Sequence, residues 1–282
     1  WAHLRDRGGL DTVFFGGGTP SRVAPSLLAR ILDTAVRVLG LRCEVEVTVE
    51  ANPTTAEASR FAELRAAGCN RLSLGAQSFG DDSLRRLGRM HSAADAERAY
   101  HMARSAGFGS VSFDLIFSIP GAPPQDWTTT LARAVELAPD HVSAYALSVE
   151  PGTPFERRRL AGDLPQVDEE VDADAYELLV QQLGEAGYEH YEISNFSREG
   201  HRSRHNWDCW TGAEYVGVGV SAHSYLEGRR FWNGTDLDEY MKRIRAGGNA
   251  RAGEECLPPA AAREEALWLR LLRQLGSEWD AL

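Results

Sequence analysis

Short apolar segments alternate with helical patterns along the first two-thirds of this chain, and this alternation constrains the fold more than any other feature. Glu44–Glu50, for example, alternates valines with polar residues, as a half-buried strand does. Strands that alternate with helices of about 10 to 15 residues predict βαβ units and a parallel sheet. The apolar pattern predicts six strands, at Asp11–Gly16, Glu44–Glu50, Arg71–Gly75, Val111–Phe117, His141–Val149 and Tyr188–Ile193.

The intervening segments carry apolar residues at helical spacing and end at residues that stop helices. The first predicted helix contains Leu27, Ile31 and Leu39 on one stripe and ends at Gly40. Helix starts are predicted near Thr54, Ser92, Gln125 and Val171, and a helical tail follows Pro258. Because a parallel sheet must be covered on both faces or closed on itself, we predict an α/β fold, and the number of units favours a barrel.

Composition excludes several classes of protein. The formal net charge of −11 argues against a nucleic-acid-binding protein and against docking on an anionic membrane. No apolar stretch of about 20 residues predicts a membrane span, and no secretion signal is recognisable, so we expect a cytoplasmic protein. Lys242 is the single lysine and lies far from the glycine-rich segments, which argues against lysine-imine chemistry.

Polar residues recur where the predicted strands end, which is where α/β barrels place their reactive groups. They are Gly16, Gly17, Gly18, Thr19, Glu50, Asn52, Gln77, Asp114 and Ser148, with Arg89 nearby in sequence. Glycines allow close approach of a backbone, carboxylates and amides suit hydroxyls or an ammonium group, and an arginine pairs with a carboxylate. The set therefore predicts a ligand that combines an amino acid with a nucleoside.

Each of these residues also has a purely structural interpretation. The glycines could form an ordinary turn, Glu50 and Asp114 could cap the helices that follow them, and Arg89 could be a surface residue. Phosphate binding is a further use for a glycine turn, but the P-loop spacing is absent from the chain.

Taken together, the motifs resemble the HemW/HemN branch of the radical S-adenosylmethionine (SAM) family. The matching segments are Phe14–Ser21, Glu50–Pro53, Asn70–Phe79, Leu87–His91, Phe113–Ile116, Ser148–Thr153 and His205–Trp210, in order along the chain. The resemblance implies a partial (β/α)6 TIM-like radical SAM barrel, whose first strand and cluster loop are missing, and the start of a smaller C-terminal domain. It implies domains at residues 1–165 (barrel core), 166–235 (end of the barrel) and 236–282 (a helical region).

The resemblance also implies a role for each candidate in binding SAM. The backbone of Gly17, Gly18 and Thr19, together with Glu50, would hold the methionyl amino group. Arg89 would face the carboxylate, Gln77 and Asp114 would face the ribose hydroxyls, and Ser148 would lie near the adenine.

The family's second cofactor does not match the sequence. Its [4Fe–4S] cluster is held by a CxxxCxxC motif that precedes the glycine turn, and the four cysteines here, Cys43, Cys69, Cys209 and Cys256, lack that spacing. We expect the cluster cysteines to lie outside this chain, upstream of Trp1.

A final motif concerns heme. The segment His205-Asn206-x-x-Cys209-Trp210 resembles the HNxxYW signature of heme chaperones, with Cys209 in place of the tyrosine. His205, Cys209 and His223 are candidate heme ligands, although His205 could merely form loop hydrogen bonds and Cys209 could be a small buried residue.

The resemblance predicts a heme chaperone that transfers heme to an acceptor protein. The alternatives are an oxygen-independent coproporphyrinogen III oxidase and a radical-SAM-like protein whose ligand is not a tetrapyrrole. Whether the protein is an enzyme is therefore left open at this point.

Overall fold

The computed structural model describes residues 8–165 and 168–278. This part of the chain divides into two compact units, one that ends at Arg202 and one that begins at Ser203. None of the described helices is long and apolar enough to cross a membrane. The boundaries predicted at 165/166 and 235/236 stay predictions.

The first unit is built on a seven-stranded sheet, which confirms the predicted α/β class. The strands are β1 (Leu10–Phe15), β2 (Leu41–Ala51), β3 (Arg71–Gln77), β4 (Ser110–Phe117), β5 (His141–Ala146), β6 (Glu189–Glu192) and β7 (Asn195–Ser197). Strands β1 to β5 are parallel and pair in sequence order. The sheet then continues with β7 and β6, each antiparallel to its neighbour.

Helices connect the parallel strands, as the apolar spacing predicts. They are α1 (Pro25–Leu39), α2 (Thr55–Ala58), α3 (Phe61–Ala66), α4 (Asp81–Arg86), α5 (Ala93–Ser105), α6 (Pro124–Leu137), α7 (Pro154–Leu160) and α8 (Glu169–Glu185). The predicted stop at Gly40 is confirmed, because Gly40 ends α1 with a left-handed φ of 77°. The predicted start at Ser92 is confirmed as a capping box in which Ser92 and Asp95 bond each other's backbone.

The two faces of this sheet differ sharply in polarity. One face packs its apolar side chains against the helices, and the fully buried Leu72, Leu74, Phe113, Leu115 and Val142 belong to this core. Successive side chains of a strand point to opposite faces, so the alternate residues line the other face. Those residues include Glu50 on β2, Ser73 on β3, Asp114 on β4 and Ser143 on β5. The strand register pairs Glu50 with Ser73 and Asp114 with Ser143.

The second unit contains a helix, a small sheet and two further helices. They are α9 (Arg204–Trp210), β8 (His223–Leu226), β9 (Arg229–Asn233), α10 (Leu237–Arg245), β10 (Arg251–Cys256) and α11 (Pro259–Glu278). The helical tail after Pro258 is confirmed. The antiparallel sheet β10-β9-β8 has no counterpart in the sequence predictions, since its strands are short, β8 and β9 are mostly half-buried, and β10 is largely exposed.

Candidate functional site

The glycine turn after β1 and the carboxylate at the end of β2 are directly connected. The backbone N–H of Gly17 donates to Glu50 Oε2 at 3.1 Å. Gly17 has a left-handed φ of 107°, which a side chain would strain. A Cβ added at Gly17 or Gly18 would meet no atom within 4 Å, so the backbone faces open space there. The contact favours the ligand interpretation of Glu50 over the helix-capping one.

Glu50 is partly desolvated in this position. Burial raises the pKa of its carboxyl, and the hydrogen bond from Gly17 N–H lowers it again because that bond favours the charged form. A carboxylate held beside an open stretch of backbone is suited to binding a cationic amine, because the ammonium group donates to carboxylate and backbone carbonyl oxygens.

A second set of hydrogen bonds connects the glycine turn after β1 to the segment after β2. Asn52 Nδ2 donates to Thr19 Oγ1 at 3.2 Å, and Thr19 Oγ1 donates to the Gly18 carbonyl at 2.6 Å. The backbone N–H of Asn52 donates to Glu57 Oε2 at 3.0 Å, and the buried Ser21 hydroxyl bonds the same oxygen. Glu57 therefore ties the segment after β1 to the segment after β2.

Asp114 lies on the polar face of β4 and carries the most perturbed pKa in the described site. Ser73 Oγ lies 2.8 Å and 3.0 Å from the two carboxylate oxygens of Asp114 and donates to them. The pKa of Asp114 is raised to about 7, chiefly by burial and to a lesser extent by the charge of Glu50, while hydrogen bonds from Ser73 and Ser143 act in the opposite direction. The Asp114 carboxyl therefore titrates near neutral pH and is close enough to Glu50 to sense its charge.

Gln77 ends β3 with a left-handed φ of 65°, and the β3–β4 register shifts between Leu74 and Gln77. This backbone turns the amide back over Gly75, because a Cβ at Gly75 would lie 2.7 Å from Gln77 Nε2 and 3.6 Å from Asn52 Oδ1. A side chain at position 75 would displace the amide of Gln77 from this place. The amide of Gln77 thus joins the same polar edge as Asn52.

Arg89 and Ser148 are less tightly placed. Both are exposed, and the guanidinium of Arg89 forms no ion pair or hydrogen bond with the residues that the structure describes. The strand that precedes Ser148 ends at Ala146, three residues earlier than the predicted Val149, so Ser148 lies in a loop. The structure thus brings together Gly17, Glu50, Gln77 and Asp114, and leaves Arg89 and Ser148 at the surface.

Sequence reasoning missed the residues that hold Asp114. Ser73 on β3 and Ser143 on β5 reach Asp114 from the two neighbouring strands, and Tyr145 follows Ser143 on the same face of β5. The pKa of Tyr145 is raised to about 12, chiefly by burial and in part by the charge of Asp114. The period-two pattern of the strands contains this information, but only once the register of neighbouring strands is known.

The heme candidates belong to the second unit. His205 and Cys209 lie four residues apart on α9, whose first turn is capped by Ser203. Cys209 is a free and exposed cysteine, and desolvation together with the Asp208 carboxylate raises the pKa of its thiol. His223 begins β8, and its ring stacks on Trp232 at a centroid distance of 5.7 Å.

The described cysteines do not fit an iron–sulfur cluster. Such a cluster is held by thiolates that lie close together. Cys69 is buried, and burial raises its pKa to about 11, while Cys209 and Cys256 are exposed in the other unit. The side chain of Cys43 is outside the described part. Among the described residues, no three His, Cys, Asp or Glu side chains converge into a set that could hold a metal ion.

Comparison with known proteins gives consistent results. The model of the radical SAM superfamily matches residues 2–134. The heme chaperone HemW of Mycobacterium tuberculosis is 40% identical over 264 residues, which cover 93% of this chain and 68% of that protein. The mitochondrial radical S-adenosyl methionine domain-containing protein 1 of Bos taurus is 44% identical over 214 residues, or 76% of this chain and 48% of that protein.

Among solved structures, coproporphyrinogen III oxidase (HemN) from Escherichia coli matches with a TM-score of 0.78 and 24% identity, covering 95% of this chain and 63% of that one. At this identity the likeness shows the fold alone. The chain spans about half the length of the first curated relatives that it matches. The fold, the family model and the similarity to HemW proteins together show that this chain belongs to the radical SAM superfamily, in the group that contains the HemW heme chaperones.

Proposed function

We propose that the polar edge of the first unit binds SAM, and that the protein of which this chain is part is a heme chaperone. The observation that carries the SAM proposal is the bond between Gly17 N–H and Glu50 beside an open glycine backbone, on the same edge as Asp114. Family membership supports it, because radical SAM proteins use SAM as the source of a 5′-deoxyadenosyl radical.

The roles proposed for the individual residues follow from their chemistry. Glu50 and the backbone of Gly17, Gly18 and Thr19 hold the methionyl ammonium group, since a partly desolvated carboxylate attracts a cation strongly. Gln77 and Asp114 accept hydrogen bonds from the ribose hydroxyls, and Ser148 lies near the adenine.

Arg89 is proposed to face the carboxylate of SAM. Its guanidinium has no competing acidic partner in the described part of the chain, so it is available to bind a carboxylate bidentately.

The [4Fe–4S] cluster that the family implies does not fit the cysteines of this chain, and no chemical step through a cluster is proposed here. The heme proposal concerns binding and transfer. Heme would be bound through a side chain of the second unit and passed to a heme-accepting protein. Support comes from HemW proteins that are 35–40% identical to this chain and from the His205-Asn206-x-x-Cys209-Trp210 motif on α9.

Heme binding is tested by titrating heme into the purified protein and following the Soret band. We expect stoichiometric binding with a shifted band, and His205→Ala should weaken it by at least about tenfold if His205 is an axial ligand. Cys209→Ser and His223→Ala identify a second ligand in the same titration. His101→Ala is the matched control, because His101 is an exposed histidine on α5 in the first unit.

Two results would contradict the heme proposal. One is the absence of stoichiometric heme binding by the wild-type protein. The other is that His205→Ala, Cys209→Ser and His223→Ala all bind heme with the affinity of the wild type and unfold at the same temperature as the wild type. The coproporphyrinogen III oxidase alternative has weaker support, since the HemN likeness concerns the fold alone.

A further inference from the structure

A cavity of about 450 Å³ lies in the first unit beside the end of β4. It is lined mainly by the end of β4, the segment that follows it, the N-terminal part of α6 and the N-terminal half of α8. None of the residues proposed to bind SAM lines it. Its volume falls in the range of sites that hold small organic molecules, which is about 300 to 1,000 Å³.

The inner wall of the cavity is mainly apolar and aromatic. Phe117 and Trp127 form much of it, with ring centroids 5.5 Å apart, and Ile116, Val171 and Leu178 contribute aliphatic surface. Most hydroxyls at the wall are already paired, since Ser78 bonds Thr130 and Ser83 bonds Asp126. Such a wall favours the apolar body of a ligand.

The hydroxyl of Ser118 in this wall is both buried and unpaired. It has no hydrogen-bond partner within the described residues, and the backbone of Ser118 has a left-handed φ of 57°. A buried polar group without a partner costs free energy, and strained backbone of this kind concentrates at ligand sites. An unpaired buried hydroxyl and a strained backbone thus occur together at the wall of this cavity.

The charged side chains that line the cavity are all acidic. They are Asp126, Asp168 and Asp174, and the guanidinium of Arg86, which is not in the lining, lies against the lining residue Gly121. Further carboxylates lie at the start of α8, which Asp168 caps. The acidic residues there are Asp168, Glu169, Glu170, Asp172, Asp174 and Glu177, and none of them forms an ion pair with a described residue. Clefts with charges of one sign and low-dielectric walls concentrate the opposite charge.

The three lining carboxylates differ in their availability. Asp168 Oδ1 accepts the backbone N–H of Glu170 as a helix cap, and Asp126 accepts the hydroxyl of Ser83. Asp174 is exposed and makes no hydrogen bond within the described part of the chain. Asp174 is thus the carboxylate most free to pair with a ligand.

We propose that this cavity binds a small organic cation, with its apolar body against Phe117 and Trp127 and its ammonium group near Asp174. The volume accommodates a single small molecule, and the unpaired carboxylates select its charge. This proposal is independent of the SAM and heme proposals, since it uses none of their residues.

Three probes of matched shape and different charge test the proposal: 4-phenylbutylamine, 4-phenylbutanol and 4-phenylbutyrate. Binding is measured by calorimetry on the whole chain at low and high salt. We expect the amine to bind roughly two- to fivefold more tightly than the alcohol, because one partly screened ion pair increases affinity by about that factor. The butyrate should bind most weakly, because its charge has the same sign as that of Asp174. The preference for the amine should decrease in high salt.

Substitutions then locate the site. Asp174→Asn should weaken binding of the amine roughly two- to fivefold and leave the affinity for the alcohol unchanged. Glu177→Gln is the matched control on the same helix, since it removes an equal charge that does not line the cavity. Val171→Trp, at a lining position that is 45% exposed, should block all three probes without altering the core.

The proposal is overturned if the three probes bind equally, or if none binds. Equal effects of Asp174→Asn and Glu177→Gln would also overturn it, because they would show general electrostatic attraction without a site. Displacement of the amine by SAM would overturn it as well, since the cavity would then be part of the cofactor site.

Discussion

Removal of the Ser73 hydroxyl is the sharpest test of the site proposed for SAM. Ser73 Oγ is 2.8 Å and 3.0 Å from the two oxygens of Asp114, whose pKa is raised to about 7. That bond favours the ionised carboxylate, so Ser73→Ala should raise the pKa of Asp114 further. A hydrogen bond to a charged group contributes about 1.5–3 kcal/mol, and one pKa unit corresponds to about 1.4 kcal/mol. We therefore expect a rise of about one to two units.

The assay is the affinity for SAM as a function of pH. An ionised Asp114 accepts hydrogen bonds from ribose hydroxyls better than a neutral one, so the affinity of the wild type should increase as the pH rises through about 7. In Ser73→Ala the midpoint of this increase should move to about pH 8–9. The affinity of the variant at pH 7 should consequently fall by about tenfold.

Ser112→Ala is the matched control, because Ser112 lies on the same strand as Asp114 but its hydroxyl pairs with His141 at 2.8 Å. It should leave the midpoint unchanged. A midpoint in Ser73→Ala that equals that of the wild type, or lies at lower pH, would refute the reasoning about Asp114.

Three further perturbations test the energetics of the same edge. The pKa of Asp114 is raised from 3.8 to about 7, so between these pH values the folded protein keeps a proton on Asp114 that the unfolded chain has lost. The free energy of unfolding of the wild type therefore decreases as the pH rises from about 4 to about 7. The free energy of unfolding of Asp114→Asn, measured with denaturant, should thus gain on that of the wild type as the pH rises from 4 to 8, by up to about 4 kcal/mol. A difference between variant and wild type that does not change with pH would contradict this. Gly17→Ala should lose about 1 kcal/mol of unfolding free energy, because φ is 107°, whereas Gly18→Ala should change it little; equal losses would contradict this. Glu57→Gln should cost about 1–3 kcal/mol through its bonds to Ser21 and Asn52, and a loss no larger than that of the exposed Glu63→Gln would contradict it.

Much of the architecture follows from local pattern. The predicted strands and helices of the first unit are all present, because apolar periodicity reports which face of an element is buried. Glycine positions were equally informative, since Gly40 ends α1 and Gly17 adopts a conformation that other residues avoid. The candidates Glu50, Gln77 and Asp114 were recognisable because parallel strands place their carboxyl ends at one edge of the sheet.

Other features depend on residues that are distant in sequence. The antiparallel pairing of β5 with β7 was not predicted, because each of the strands β6 and β7 has only three or four residues and no distinctive period. The small sheet of the second unit was missed for a related reason, since its strands are short and show little apolar alternation.

The order of the elements, the polar strand ends and the family are all recognisable in the amino-acid sequence. The hydrogen bonds of Glu50 with Gly17, across 33 positions, and of Ser73 with Asp114, across 41, become visible only in the folded chain. The physical reason is register: which side chains meet on a sheet depends on how neighbouring strands align, and a shift of one residue would move each side chain to the opposite face. The titration of Asp114 near neutral pH is therefore a property of the assembled sheet, since burial and the neighbouring Glu50 charge produce it.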